Sequence, residues 1–305
     1  MKKERMKIGF IGSGEHVGHL AASLSEEGDI AVGVYHSGKT ESTHNLKEYS
    51  GAESLIASSD LVYVAKDELP LFEICQIAIK ETKHLCFESP FLLDHEAFRH
   101  LFHLARESKS ILHLSQKWLV HPAYVTVRAQ LDPLFIGFRV DVPEGSKRQD
   151  TLSSILFDMV SVIWDTINRD LRKMRYFPLE YNMPSYPGNF FLEMDFESGT
   201  HVNLLFNHLT DTEACQAEFI QTSRRFFLNF TTPELAVYDR INGGYEATPK
   251  GGSSERELLM EDFRNLLLNL NKYRIPLTIN EDSQAVLSIT HSILDEIRHK
   301  SRLLT

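Results

Sequence analysis

Lys7-Ile8-Gly9-Phe10-Ile11-Gly12-Ser13-Gly14 is the stretch on which the reading of this chain turns. A short apolar run ends in a Gly-x-Gly, and a helical pattern follows at once through Val17, Leu20, Ala21 and Leu24. Spacings of three and four put those four side chains on one helix face. Gly28 closes the helix, and Ile30 to Tyr35 reads as a second strand. The resulting β-α-β unit imposes parallel strands and a right-handed crossover.

Strand, glycine turn, helix is the context in which Gly-x-Gly carries meaning. The first glycine permits the tight turn, and the second lets backbone amides approach a pyrophosphate at the helix N-terminus. Gly12, Ser13, Gly14, His16 and Val17 are the expected contacts. A third glycine is missing: Val17 stands in its place with Gly18 one position later, which predicts a looser approach of helix to strand. Plain turn glycines are the competing reading, and the strand–turn–helix context favours the phosphate site. The second strand ends in Tyr35-His36-Ser37-Gly38-Lys39, without the carboxylate that binds a ribose hydroxyl in NAD sites. His36, Ser37 and Lys39 could accept a 2′-phosphate, which favours NADP, although an ordinary polar loop fits the same residues.

The alternation continues with a helix near Glu53 to Ser58, a strand at Leu61 to Ala65, a helix at Leu71 to Glu81 and a strand at Leu85 to Phe87. Asp94 reads as the N-cap of a helix carrying Phe98, Leu101 and Ala105, and Ile111 to Ser115 as a further strand. Five strands alternating with helices predict a doubly wound α/β Rossmann domain over residues 1–120.

Residues 121–305 predict an α+β domain with a large, mostly antiparallel sheet. A helix spans about Leu152 to Asn168. Phe190, Leu192, Met194 and Phe196 then alternate with acidic residues, and Ser198-Gly199 can turn the chain into Val202, Leu204 and Phe206. Similar alternation recurs at Cys215, Ala217 and Phe219, then at Phe226, Leu228 and Phe230, with Arg224-Arg225 marking a solvated hairpin. Ser254 with Glu257 forms a capping box before Leu258, Leu259, Phe263 and Leu266. A last helix repeats Val286, Ile289, Ile293 and Ile297.

Composition narrows the partners. Lys and Arg total 32 against 42 Asp and Glu, a formal net charge of -10, which argues against nucleic acid. No run approaches the ~18 apolar residues of a membrane span. Met1-Lys2-Lys3-Glu4-Arg5 is a poor signal peptide, and Cys75, Cys86 and Cys215 are scattered, so buried thiols in a cytoplasmic protein are expected. His100 and His103 share a helix with Glu96, Arg99 and Glu107, a stripe that reads as solvated rather than as a metal site.

Four further landmarks follow in order: Ser59-Asp60-Leu61-Val62-Tyr63-Val64-Ala65, Lys83-His84-Leu85-Cys86-Phe87-Glu88-Ser89-Pro90, Lys117-Trp118-Leu119-Val120-His121-Pro122-Ala123 and Asp158-Met159-Val160-Ser161-Val162-Ile163-Trp164-Asp165. With the glycine turn, they make the chain resemble a divergent member of the Gfo/Idh/MocA family of NAD(P)-dependent oxidoreductases. The resemblance implies an NAD(P) site that also includes Ala65, Lys66, Glu88, Lys117 and Trp118. It further implies a small-molecule substrate and a homodimer or higher oligomer formed through the second-domain sheet, where Phe191 and Leu205 face outward.

The chain departs from that pattern at the chemistry. Ser89 replaces the lysine of the family's Glu-Lys-Pro, Val162 replaces the histidine of Asp-x-x-x-His, and Lys66-Asp67 replaces a Thr-Pro loop. Hydride transfer to or from an alcohol carbon requires a proton to move at oxygen, and a placed acid/base contributes about 10²–10⁴ in rate. Asp158, His121 or a tyrosine such as Tyr181 could carry that proton. The alternative is a catalytically inactive sensor of nucleotide or ligand, or an assembly partner, on the same fold.

Overall fold

The computed structural model describes residues 6–12, 15–26, 30–35, 46–65, 70–143, 148–179, 189–247, 249–252, 254–272 and 278–303. The chain divides into two compact units, Met1–Ser115 with Phe263–Leu287, and Gln116–Asp262 with Ser288–Thr305. This division differs from a single crossing at residue 120: the change of unit falls at Gln116, and a later segment returns to the first unit.

The first unit is built as β1 (Met6–Ile11), α1 (Glu15–Ser25), β2 (Ile30–Tyr35), β3 (Lys47–Glu48), α2 (Ala52–Ala57), β4 (Leu61–Val64), α3 (Leu71–Lys80), β5 (His84–Phe87), α4 (His95–Ser108) and β6 (Leu112–Leu114). Among the described residues six strands, rather than the expected five, form a parallel sheet in the order β3-β2-β1-β4-β5-β6. The added strand is the two-residue β3, too short to leave a period in the sequence. The order reverses between β1 and β4, the switch point at which doubly wound sheets bind ligands.

Val17, Leu20, Ala21 and Leu24 are all buried, so the stripe read from their spacing is the core face of α1. Asp94 caps α4, its carboxylate accepting the Ala97 N–H at 2.7 Å. Arg99 pairs with Glu96 and His103 with Glu107 along the exposed face of that helix, and His100 lies 5.8 Å from the Phe72 ring.

The second unit contributes α5 (Pro122–Val127), β7 (Phe135–Pro143), α6 (Arg148–Ile167), β8 (Leu171–Pro178), β9 (Phe190–Phe196), β10 (His201–Thr210), β11 (Ala214–Ile220), β12 (Arg224–Asn229), β13 (Glu234–Asp239) and β14 (Gly243–Ala247). Eight strands among the described residues form one sheet, β14-β13-β12-β11-β7-β10-β9-β8. Among the described residues of this sheet, only β7 and β10 pair in parallel. The alternation of β9 is seen as read, with Phe190, Leu192, Met194 and Phe196 buried. Gly199 makes the turn into β10 at φ +84°, where glycine avoids the Cβ clash of the left-handed region. Arg224 and Arg225 do not form the hairpin turn itself; they open β12 and pair with Asp239 and Glu218.

Two helices complete the chain, α7 (Glu255–Lys272) and α8 (Thr278–Leu303). The capping box holds: Ser254 N–H donates to Glu257 at 3.2 Å and Glu257 N–H to Ser254 Oγ at 3.4 Å. The portions of α7 and α8 that belong to the first unit do so for identifiable reasons. Phe263 is fully buried with its ring 5.2 Å from Tyr63 and 6.1 Å from Phe10. Asn280 closes the edge of β6, accepting from Leu112 N–H at 2.9 Å and donating to the Ser110 carbonyl at 3.0 Å. No helix among the described residues is long and apolar enough to cross a membrane.

Candidate functional site

In the first unit, Gly12 ends β1 at φ +129°, and its N–H donates to the Tyr35 carbonyl at 3.1 Å. A Cβ at that position would lie 2.9 Å from the Ala65 Cβ and 3.0 Å from the Ala65 carbonyl carbon. Both the backbone conformation and the space therefore require glycine. Ala65 is held there by its own N–H, which donates to Ile11 at 2.8 Å. Val17 lies in the core of the unit with 5% exposure, so its side chain belongs to the helix–sheet contact. Ser13, Gly14, His36, Ser37, Lys39 and Lys66 lie outside the described residues, as does the side chain of His16.

The second unit holds a recess of about 480 Å³, bordered by Lys117, Trp118, Asp158, Glu213, Phe230 and Glu255 among others. Lys117 begins a 3₁₀ turn over Lys117–Val120. Its backbone N–H donates to Asp158 Oδ1 at 3.1 Å, and its Nζ stands 3.7 Å from Asp158 Oδ2. The same ammonium donates to Glu255 Oε1 at 2.7 Å. Burial disfavours the ammonium, but the carboxylates of Asp158 and Glu255 outweigh it and hold Lys117 protonated well above the usual lysine range. Burial also pushes the Asp158 carboxyl up; Lys117 pulls it part of the way back, and it settles at about 6. Asp158 is 3% exposed, so this is a buried acid poised near neutrality.

An aromatic wall borders the charges. Trp118 stacks on Phe230 with centroids 4.3 Å apart and planes 10° from parallel. His121 lies against the same Phe230, fully buried, with its Nδ1 accepting the Ala123 N–H at 3.3 Å as the N-cap of α5. Burial pushes the imidazole down to about 4, and its Nε2 has no hydrogen-bond partner. His121 is not among the residues bordering the recess. Cys215 is, and burial raises its thiol to about 12, too high for a thiolate nucleophile.

The two substituted positions are structurally settled. Ser89 Oγ accepts the Phe91 N–H at 3.3 Å, and Val162 is fully buried. Glu88 N–H donates to the Val64 carbonyl at 3.0 Å. Asp165 serves another purpose, accepting the Tyr124 hydroxyl at 2.6 Å and pairing with Arg128. Tyr181 lies outside the described residues. Among the described residues no cluster of three or more His, Cys, Asp or Glu is arranged to hold a metal.

The sequence singled out Asp158 as a proton carrier and Lys117 and Trp118 as cofactor contacts, but not Glu213 and Glu255, which border the same recess. Glu255 opens α7, where an acidic residue already suits the helix dipole, so nothing local pointed to Lys117.

No protein-family model matches the sequence, and no curated protein matches it. Solved structures do. UDP-N-acetylglucosamine 3-dehydrogenase GnnA from Acidithiobacillus ferrooxidans superposes with a TM-score of 0.81 at 17% identity, over 95% of this chain and 97% of that one. GenD2 from gentamicin A biosynthesis, in complex with NAD, gives 0.73 at 13% over 95% and 93%. Biliverdin reductase from Synechocystis sp. PCC 6803, in complex with biliverdin and NADP+, gives 0.72 at 15% over 94% and 98%. The dehydrogenases among these neighbours are of the Gfo/Idh/MocA type, and at such identities the likeness shows the fold.

Proposed function

We propose that this chain is an NAD(P)-dependent oxidoreductase in which Lys117 and Asp158 handle charge and proton in place of the missing lysine and histidine. The observation that carries the reading is a protonated ammonium 3.7 Å from a buried carboxyl poised at about 6, at the border of a recess large enough for a small molecule. The turn at Gly12 fits a dinucleotide, because it joins β1 to α1 at the switch point of the parallel sheet. A bound nicotinamide supplies or accepts hydride. Asp158 gives or takes the proton at its Oδ2, and Lys117 Nζ stabilises negative charge developing on a substrate oxygen. Trp118 and Phe230 keep water from one wall of the recess.

Calorimetric titration with NADPH and NADH, followed by turnover assays over a panel of carbonyls and enones, tests the reading. Nucleotide binding with turnover that Asp158→Asn removes supports it; failure to bind either nucleotide overturns it. A preference for NADP rests on His36, Ser37 and Lys39 and on the lack of a carboxylate after Tyr35. Buried Cys75, Cys86 and Cys215, none of them in a disulfide among the described residues, support a cytoplasmic setting.

The inactive sensor remains the second reading, favoured by the way Ser89 is tied to Phe91 N–H and Val162 is packed in the core. Tight nucleotide binding without turnover would select it. For self-association we place the contact on the sheet face shared by Phe135, Phe191, Leu205 and Phe227, which the strand register brings to one side.

A further inference from the structure

We propose that β14 pairs antiparallel with β14 of a second copy of this chain, joining the two sheets across a two-fold axis at Tyr245. The contact is separate from the open sheet face and owes nothing to the nucleotide reading. Its ground is a difference between the two edges of one sheet. β8, at one edge, carries Arg172, Lys173 and Arg175, shifts register between Leu171 and Lys173, and ends on Pro178. Cations, a bulge and a proline are the devices that keep an edge strand from pairing with another chain. β14, at the other edge, reads Gly-Gly-Tyr-Glu-Ala and has none of them. Its register with β13 runs unbroken from Leu235↔Ala247 to Asp239↔Gly243, and no strand among the described residues meets its outer side.

The edge is also apolar. Tyr238, Ile241 and Tyr245 are 51%, 85% and 54% exposed. Tyr238 lies over Gly244, where a Cβ would fall 2.8 Å from the Tyr238 Cδ1. A two-fold axis normal to the sheet keeps every residue on its own face, and directly opposed residues must share a face. Each allowed register is therefore centred on a residue, and the one that pairs all five residues of β14 is centred on Tyr245. It sets Gly243 opposite Ala247, Gly244 opposite Glu246 and Tyr245 opposite itself. No like charges face each other, and the two tyrosines meet as a cross-strand aromatic pair. Such a contact is self-complementary and closes with two copies.

Hydrogen exchange on the full chain, read at residues 243–247 over a range of protein concentrations, tests the pairing. The expected result is protection that rises several-fold with concentration and that Tyr245→Lys removes by setting two cations face to face. Oxidative cross-linking reads the register, because Cys75, Cys86 and Cys215 are buried and an added surface thiol reports by itself. Tyr245→Cys puts two thiols on opposed Cβ atoms about 4.5–5.5 Å apart, near enough for a disulfide, whereas Glu246→Cys puts them on a diagonal about 7–8 Å apart. Tyr245→Cys should therefore cross-link at least several-fold faster. Protection independent of concentration, no cross-link with Tyr245→Cys, or equal cross-linking of the two variants overturns the inference. Protection that Phe227→Glu abolishes would belong to the open face and overturns it as well.

Discussion

Lys117 meets Asp158 twice, once through its backbone N–H at 3.1 Å and once through its ammonium at 3.7 Å. The first contact fixes the carboxylate and the second holds a positive charge beside it without quenching it. An acid kept buried with a raised pKa costs stability, which is the ground on which Asp158 is proposed as the proton-handling group.

Asp158→Asn therefore separates stability from activity. The folded-state value of about 6 exceeds the ordinary carboxyl value of 3.8, so the folded protein binds the proton more tightly than the unfolded chain. Relative to the variant, the natural chain should lose stability as pH rises from about 4 to about 6 and stay lower above that, by up to about 3 kcal/mol. Turnover should fall by about 10²–10⁴ in the same variant. Urea denaturation across pH, with assays at neutral pH, reads both; a natural-minus-variant stability difference that does not fall between about pH 4 and pH 7 contradicts the linkage.

His121 carries the opposite sign. Its folded value of about 4 lies below the ordinary imidazole value of 6.5, so the unfolded state takes up a proton that the buried ring refuses. Stability contributed by the neutral ring is complete above about 6.5 and should decline by about 3 kcal/mol as pH falls toward 4. His121→Asn keeps a side chain able to cap α5 and removes the titration, so its acid limb should be flatter. Parallel urea melts at neutral and acidic pH measure the difference.

Gly12→Ala would force a side chain into φ +129° and to within 2.9 Å of the Ala65 Cβ. A loss of about 1–3 kcal/mol in stability is expected from the strain. NADPH affinity should drop by about tenfold or more if the turn seats the pyrophosphate. Calorimetry finding unchanged affinity would detach this turn from nucleotide binding.

Phe227→Glu tests self-association on the open sheet face. The natural chain should sediment as a dimer or larger species and the variant as a smaller one, because the new carboxylate is placed on the sheet face that also carries Phe135, Phe191 and Leu205. Phe227 pairs with Glu218 across the strands, so the substitution also sets like charges side by side. A natural chain that sediments as a clean monomer removes the proposal.

What the sequence disclosed and what it hid divide along the range of the signal. β1, Gly12, α1 and β2 follow one another within a few tens of residues, each with its own period or turn residue, and all were legible. β3 consists of Lys47 and Glu48 alone and has no period to read. β7 does carry alternation at Ile136, Phe138, Val140 and Val142, but Gly137 within it and Pro133 and Pro143 near its ends read as loop. The site fared likewise. Asp158 and Lys117 were each singled out, yet 41 residues separate them, and 138 separate Lys117 from Glu255. Only the folded second unit pairs those charges. The return of Phe263 and Asn280 to the first unit was hidden for the same reason, since their partners Tyr63 and Leu112 lie far upstream.

That return gives the last prediction. β6 is an edge strand, and edge strands expose unpaired backbone groups that recruit other chains. Here the Asn280 amide acts as a short surrogate strand, satisfying Leu112 N–H and Ser110 C=O with one side chain. Asn280 and Ser110 are buried, so Asn280→Ala strands a donor and an acceptor away from water. A cost of about 2–4 kcal/mol follows from two unsatisfied groups. Asn280→Asp retains the acceptor for Leu112 but loses the donor, so it should protect that amide from hydrogen exchange better than alanine does while still destabilising the strand. Exchange at Leu112 that is equally slow in the natural chain and in Asn280→Ala would show that the edge is held by something else.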